Sequence, residues 1–337
     1  MEKVLTVVVP SYNVEKYIRQ TLESLNHKAI LEAIEVLVVD DGSSDDTAKI
    51  GKEYEEQYPQ TYRVISKSNG GHGSTINCGI EQARGTFFKV VDGDDWVDTE
   101  AFVNVVEKLR RCQADYVVTD YCEVYDNTGE RVRKSFPELD SMEHREWSFQ
   151  EIADLVQIPM HALIIRTSIL KENKIRLDEH RFYVDVEYVL FPVPYVERVT
   201  YYPMCVYMYR LARISQSVSI QGYQKHMQDH MDVILRLIEF FESYRMKCDD
   251  TKKCAYIAKR IAQMIGDQIT IFLSFPVENT EIRSIFQKFD QQVQEKSRKI
   301  YELSGAESGT LRVLRKTGFR GYRMIMKLGK IRNHMEE

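Results

Sequence analysis

Short, β-branched apolar runs alternate with helix-patterned stretches along the first third of the chain. The runs at 4–9, 34–39, 62–65 and 86–91 read as strands. Between them, Tyr17, Ile18, Leu22 and Leu25, then the stretches 48–58 and 76–83, carry helical patterns. Strand–helix–strand at this spacing predicts an α/β fold with a mostly parallel sheet and helices on both faces, joined by right-handed crossovers. Ligands of such sheets sit beyond the carboxyl ends of the strands, so the residues that follow each run are where chemistry is to be sought. Further on, the pattern predicts a helix over 99–109, a strand over 115–125, a turn at Asp126-Asn127-Thr128-Gly129 into a second strand, and a strand over 199–209. After Gln221 the character changes. Met227, Met231, Ile234, Ile238 and Phe241, then Ile257, Ile261, Ile265 and Phe272, recur at helical spacing. The expected division is 1–220 as the α/β domain and 221–337 as a helical C-terminal region.

The strand ends hold the candidate chemistry. The first run exits into Pro10-Ser11-Tyr12-Asn13, the second into Asp40-Asp41-Gly42-Ser43-Ser44-Asp45-Asp46-Thr47, and the fourth into Asp92-Gly93-Asp94-Asp95-Trp96. Taken singly, each acidic stretch reads as a turn, and Ser43, Asp45 and Thr47 suit the cap of the next helix. Two acidic turns at one edge of one sheet are a different matter, because clustered carboxylates repel unless a cation joins them. Hard divalent ions take oxygen ligands, and Mg²⁺ shares its shell with substrate phosphates. The pattern therefore predicts a metal–diphosphate site. Ser68-Asn69-Gly70-Gly71-His72-Gly73, ahead of a helix, could turn amides toward an anion. No GxxxxGK[ST] or GxGxxG motif accompanies it, which disfavours P-loop and dinucleotide-binding readings.

Composition narrows the class. The 337 residues are 43% hydrophobic and 29% charged, ordinary for a globular protein with a sizeable core. No apolar run approaches the roughly 18 residues of a membrane span. The run 4–9 is followed at once by Pro10 and shows no leader-like cleavage site, so a cytoplasmic protein is expected. The six cysteines show no CxxC pair and are expected as reduced thiols. The net charge of −5 hides an asymmetry: 308–334 hold eight Lys/Arg and no acid, which leaves −13 on the remainder. An acidic body disfavours nucleic acid as a partner. The basic tail, which also carries apolar residues, suits an anionic membrane surface; packing on the protein's own acidic body is the other reading.

Five motifs in order then carry a resemblance. Val-Val-Pro-Ser-Tyr-Asn at 8–13, Val-Val-Asp-Asp-Gly-Ser at 38–43 with Asp46-Thr47, Asn69-Gly-Gly-His-Gly with Asn77-Cys-Gly-Ile, Ala83-Arg-Gly, and Val91-Asp-Gly-Asp-Asp resemble the inverting family 2 glycosyltransferases of bacterial surface-polysaccharide type. The likeness is strong over 3–125 and weaker to about 220. It implies the GT-A fold, and a donor site built from Pro10, Tyr12, Asp41, Asn69, Gly70, Asp92, Asp94, Asp95, Arg210 and Arg213. In such a site Tyr12 would stack on a uracil-type base and Asp41 would accept from its imide N–H. Asp92 and Asp94 would form the DxD element that holds Mn²⁺ or Mg²⁺, supported by Asp95. The family's general base matches Asp185 in Phe182-Tyr183-Val184-Asp185-Val186-Glu187-Tyr188, with Val184 where a Glu is usual and Glu187 as the fallback. Tyr209-Arg210 and Arg213 resemble a closing segment that clamps diphosphate or acceptor. Ile76 stands where relatives often carry Arg, so no diphosphate contact is expected there. His161 opens an apolar run and reads either as a lining residue of the acceptor cleft or as an ordinary edge histidine.

The resemblance thus implies transfer of a hexose or N-acetylhexosamine from a UDP-sugar to a saccharide or lipid-linked saccharide, with a peripheral place on the inner face of the membrane open to the segment 308–334. The competing readings are a sugar-nucleotide-binding module without turnover, and a nucleotidyltransferase. The first would not need Asp92, Asp94 and Asp185 together. The second needs a Gly-rich basic loop after the first strand, which Pro10-Ser11-Tyr12-Asn13 is not.

Overall fold

A computed structural model describes residues 3–142, 145–211, 220–247 and 251–332. The chain divides into two compact units, 1–213 and 214–337.

The first unit is one ten-stranded sheet with helices. In chain order its elements are β1 (Leu5–Ser11), α1 (Ile18–Leu25), β2 (Ile34–Asp40), α2 (Thr47–Gln57), β3 (Tyr62–Ser66), α3 (His72–Gln82), β4 (Phe87–Val90), β5 (Trp96–Val97), α4 (Thr99–Leu109), β6 (Tyr116–Tyr125), β7 (Arg131–Lys134), β8 (Glu146–Ser148), α5 (Phe149–Ile152), β9 (Leu163–Arg166), α6 (Thr167–Glu172), α7 (Asp185–Leu190) and β10 (Arg198–Leu211). The sheet order is β3-β2-β1-β4-β9-β6-β10-β5, with β7 on β6 and β8 on β10. The predicted β–α alternation is present: β3, β2, β1 and β4 run parallel, and every residue of β1 and β2 is buried. Burial of both faces is what a parallel sheet between helix layers requires. The pattern did not foresee β9, a four-residue strand that runs antiparallel between β4 and β6 and joins the two parallel sets. Beyond it, β6 and β10 run parallel, with shifts of register between Tyr202 and Tyr207. Those shifts re-aim β10 toward the end of β4, where Tyr207 and Arg210 are used below.

Cys122 on β6 and Cys205 on β10 lie side by side, with their Cα atoms 6.3 Å apart. Parallel neighbouring strands bring together two cysteines 83 residues apart, a proximity that sequence spacing does not display.

The second unit is helical: α8 (Ile220–Lys225), α9 (Met227–Arg245), α10 (Thr251–Leu273), α11 (Thr280–Lys296), α12 (Arg298–Glu307), α13 (Gly309–Lys316) and α14 (Tyr322–Arg332). Asn279, Ser297 and Ser308 cap α11, α12 and α13 by accepting from the first-turn amides. Its core includes Phe272 stacked on Phe286 at 4.4 Å, with Phe319 edge-on at 5.3 Å. Gly318 and Gly321, both at positive φ, break the basic segment into two helices. Among the described residues no helix is long and apolar enough to cross a membrane.

Candidate active site

The carboxyl ends of β1, β2, β3 and β4 gather four loops. The exits of β1 and β2 are laced together: Asn13 Oδ1 accepts from the Ser44 N–H at 2.8 Å, and the Asn13 N–H donates to Ser43 Oγ at 3.0 Å. Tyr12 projects from this lacing and is 53% exposed. Pro10 is buried in β1, and its carbonyl accepts from Gly93 N–H, which ties the first loop to the fourth.

Asp41 is buried and engaged at both oxygens. Its Oδ1 accepts from Lys67 Nζ at 2.8 Å and from the Gly70 N–H at 2.9 Å, and its Oδ2 from the Gly71 N–H at 2.8 Å. Asn69 Nδ2 donates to the Asp41 carbonyl. The glycine-rich loop therefore aims two amides at a protein carboxylate. Asp40, also buried, accepts from the Ser43 N–H, and Asp45 accepts from the Glu15 and Thr47 N–H groups.

The fourth loop is built differently. Asp95 is buried beneath it; Tyr207 Oη donates to its Oδ2 at 2.6 Å and the Arg210 N–H to its Oδ1 at 2.8 Å. Burial, with the charges of Asp94 and Asp92, drives its pKa well above the usual carboxylate range. Tyr207 Oη also accepts from the Asp92 N–H, and Thr21 Oγ1 donates to the Gly93 and Asp95 carbonyls. Gly93 has no room for a side chain: a Cβ would stand 2.9 Å from the Pro10 carbonyl and from Ser11 Oγ. The turn is thus pinned from below, and Asp92 and Asp94 are left half-exposed on its outer side.

The sequence places Arg210 among the donor-binding residues, but in the structure its guanidinium braces the turn. Nε donates to the Asp94 carbonyl at 2.9 Å, Nη1 to Asp126 at 2.5 Å and Nη2 to Gln20 at 2.7 Å, and the group lies over the rings of Trp96 and Tyr17. Arg213 lies outside the described residues, as does 216–219.

Asp185 opens α7 and is half-exposed, whereas Glu187 is fully buried and accepts from the Asp178 N–H at 2.7 Å. Val184 is buried in the core. The segment that leads to Asp185 is fastened to α3. Asn77 donates to the Leu177 carbonyl and accepts from the Leu177 N–H, and the His180 N–H donates to the Gly70 carbonyl. A Cβ on Gly73 would meet the Asp178 carbonyl at 2.0 Å, so only glycine allows this approach. Ile76 points into the core.

His72 shows that the acidic segments converge. Its Nε2 is 2.7 Å from Asp92 Oδ1. Burial pulls its pKa down, but Asp92, by charge and hydrogen bond, with Asp185 and Asp94, carries it above the usual histidine value. Asp185, about ninety residues beyond the DxD turn in the chain, thus acts on the same imidazole as the turn does. His161 joins from the sheet face. Its ring is stacked with Tyr209 at 4.1 Å and with Tyr121 at 5.5 Å, and packs edge-on against Tyr207. Burial keeps its pKa below the ordinary value against the pull of Asp92, Asp185 and Glu123. Beneath it, Lys89 is fully buried and donates from Nζ to the His161 carbonyl at 3.0 Å, and burial lowers its pKa to about 7.

A divalent ion fits this donor set in one way. Asp92 and Asp94 offer half-exposed hard oxygens, and no group of three or more His, Cys, Asp or Glu suited to a metal occurs among the described residues. Two carboxylates suit an ion that shares its shell with phosphates and water, not an all-protein cage.

Sequence reasoning missed Lys67, Lys89, Tyr207 and the depth of Asp95. A lysine inside the run Phe87-Phe88-Lys89-Val90 was the available signal for one of them.

Residues 6–172 match the family described as Glycosyl transferase family 2. The chain is 28% identical over 240 residues to "Uncharacterized glycosyltransferase EpsJ" of Bacillus subtilis, covering 68% of this chain and 67% of that protein. It is 31% identical over 182 residues to "Minor teichoic acid biosynthesis protein GgaB" of the same organism, covering 52% of this chain and 19% of that protein. The chain thus spans less than a fifth of GgaB's length. Among solved structures, S. aureus TarS 1-349 in complex with UDP-GlcNAc superposes with a TM-score of 0.66 at 21% identity, over 98% of this chain and 92% of that one.

Proposed function

The chain belongs to glycosyl transferase family 2, has the GT-A fold and is a glycosyltransferase; from that premise we propose that it transfers a hexose or N-acetylhexosamine from a UDP-sugar to a saccharide hydroxyl, with inversion, in bacterial surface-polysaccharide or teichoic-acid-type synthesis. The observation that carries the reading is geometric: Asp92 and Asp94 stand half-exposed on a turn braced from below by Tyr207 and Arg210, and His72, which reaches Asp92, opens the helix to which the segment before Asp185 is fastened. The structural likeness to a UDP-GlcNAc complex supports the choice of donor.

In this reading Tyr12 stacks on the uracil, Asn69 stands beside it, and Asp41 contributes by holding Gly70 and Gly71 in place beneath the base. Asp92 and Asp94 would hold Mn²⁺ or Mg²⁺, which supplies positive charge against the departing diphosphate. Asp95, Pro10 and Arg210 keep the turn in shape, and Arg213 is kept as a diphosphate or acceptor clamp. Asp185 is the base. Its carboxylate takes the proton of the acceptor hydroxyl while that oxygen bonds to the anomeric carbon, and the sugar–phosphate C–O bond breaks with its electron pair on UDP. Glu187 has its carboxylate turned into the core, which favours Asp185. His161, held low in pKa, offers a neutral ring beside the acceptor. We place the reaction in the cytoplasm at the inner face of the membrane, with a lipid-linked saccharide as the acceptor class.

The test is turnover of UDP-sugars by Asp185→Asn. The rate should fall at least ~100-fold, the scale of a lost general base, while UDP-sugar affinity measured by calorimetry stays the same. Collapse of donor affinity would move Asp185 into the donor site, and an unchanged rate would remove it from the chemistry.

A further inference from the structure

The helix α14 presents two unlike faces. Tyr322, Ile325, Met326 and Lys330 are buried within the helical unit, and Gly329 lets α14 approach α10, since a Cβ there would lie 2.9 Å from Leu273. On the outer side Met324, Leu328 and Ile331 are 65%, 59% and 72% exposed. Their spacing of four and three residues aligns them on one stripe. Arg323 and Lys327 each precede a stripe residue by one position and are exposed, as is Arg320 in the turn before the helix. Among the described side chains of this segment Arg315 pairs with Asp290, and Lys330 is buried. No acid occurs between 308 and 334.

Single exposed apolar residues need no explanation. Three in register, flanked by cations alone, on a helix whose opposite face is already packed, are the pattern of a helix lying in a lipid interface. We propose that the outer face of α14 docks on an anionic lipid bilayer, with Met324, Leu328 and Ile331 entering the headgroup–acyl boundary and Arg320, Arg323 and Lys327 meeting lipid phosphates. An acidic polymer would use the cations and leave the stripe in water, and that difference selects the bilayer. The docking sharpens the membrane placement proposed above and does not depend on the transfer chemistry.

The experiment is flotation of the full chain with phosphatidylcholine vesicles, with and without phosphatidylglycerol, at low and high salt. The native chain should float only with the anionic vesicles at low salt. Replacing Arg320, Arg323 and Lys327 by Gln should weaken binding ~100-fold, at about fivefold for each cation near the surface. Replacing Met324, Leu328 and Ile331 by Ser should weaken it about tenfold or more, with the unfolding temperature unchanged because these side chains are already in water. Absence of flotation on anionic vesicles overturns the proposal. So does flotation of the Ser variant equal to that of the native chain, which would indicate charge alone, or a loss confined to self-association, which would assign the stripe to a second copy. Hydrolysis of UDP-sugars without vesicles is read in parallel and should be the same for all three proteins, so failure of docking is distinguished from failure of the enzymatic reading.

Discussion

Two acidic turns leave the same edge of the same sheet and are accounted for in opposite ways. After β2, Asp40 and Asp41 are buried, and hydrogen bonds from Ser43, Lys67, Gly70 and Gly71 absorb their charge. After β4, Asp95 is buried while Asp92 and Asp94 stay half-exposed, and the cationic character nearby comes from His72, whose charge they themselves sustain. Each turn also has its lysine. Lys67 reaches Asp41 as a partly exposed ion pair, whereas Lys89 lies buried with its charge suppressed. A string of aspartates is therefore not a ligand site by composition. What distinguishes the two turns is depth: the carboxylates after β2 are spent on the protein's own hydrogen bonds, whereas Asp92 and Asp94 keep part of their surface in water.

The strongest way to break this comparison is Asp94→Asn. Loss of metal-dependent transfer on the order of a thousandfold, about 4 kcal/mol of transition-state stabilisation, is expected from the second turn. The urea midpoint should stay the same, because this carboxylate is half-exposed. A variant that keeps a tenth of the native rate would deny the turn its ion. The reverse pattern is expected of Asp41→Asn. Removing a buried acceptor of one ammonium and two amides should cost about 2 kcal/mol of stability, read as a lower urea midpoint. Unchanged stability with loss of metal-dependent UDP binding would make the two turns alike.

A pH series sharpens the contrast between the lysines. Lys89 falls from an ordinary 10.5 to about 7 in the folded chain. Between those values the unfolded chain binds more protons, so stability should rise with pH, by up to about 1.4 kcal/mol per unit. Below about 7 both states are protonated and the slope vanishes. Lys89→Met should flatten the rise, and urea titrations at several pH values would show it. A native protein with no such slope would mean that the amine keeps its charge beneath the second turn.

Much of the first unit was legible because its signals are local. The runs that became β1 to β4 and the helices between them follow from apolar spacing, and the loops that end them sit where the sheet rule puts ligands. What was illegible is mostly long-range. β9 is a four-residue apolar run whose antiparallel place between β4 and β6 depends on partners dozens of residues away. Cys122 and Cys205 meet through strand pairing, not spacing. Arg210 resembled a diphosphate clamp, yet nothing in Tyr209-Arg210 announces Gln20, Asp94 and Asp126 as its acceptors. In the site, residue types were readable and their depth was not: Asp41, Asp92, Asp94 and Asp95 look alike in sequence and differ in burial. Of the basic tail, one face of α14 is packed on the helical unit and the other stays in water, a division that the run of cations and apolar residues in the sequence does not announce.

The bracing of the turn after β4 by β10 carries a consequence for the order of assembly. Tyr207 and Arg210 are among the last residues of the first unit, and the groups they hold lie at Gln20, Asp92, Asp94 and Asp95. A nascent chain emerges from its N-terminal end first. The parallel strands β1 to β4 can therefore pair while the turn still lacks its underpinning, and closure spans 190 residues of chain between Gln20 and Arg210. Contacts of such separation form late and slowly. The turn can thus be braced only once β10 has been made, while the whole second unit, 214–337, is still to come, and a ribosome-held fragment that stops short of β10 would carry the motifs without the support of that turn.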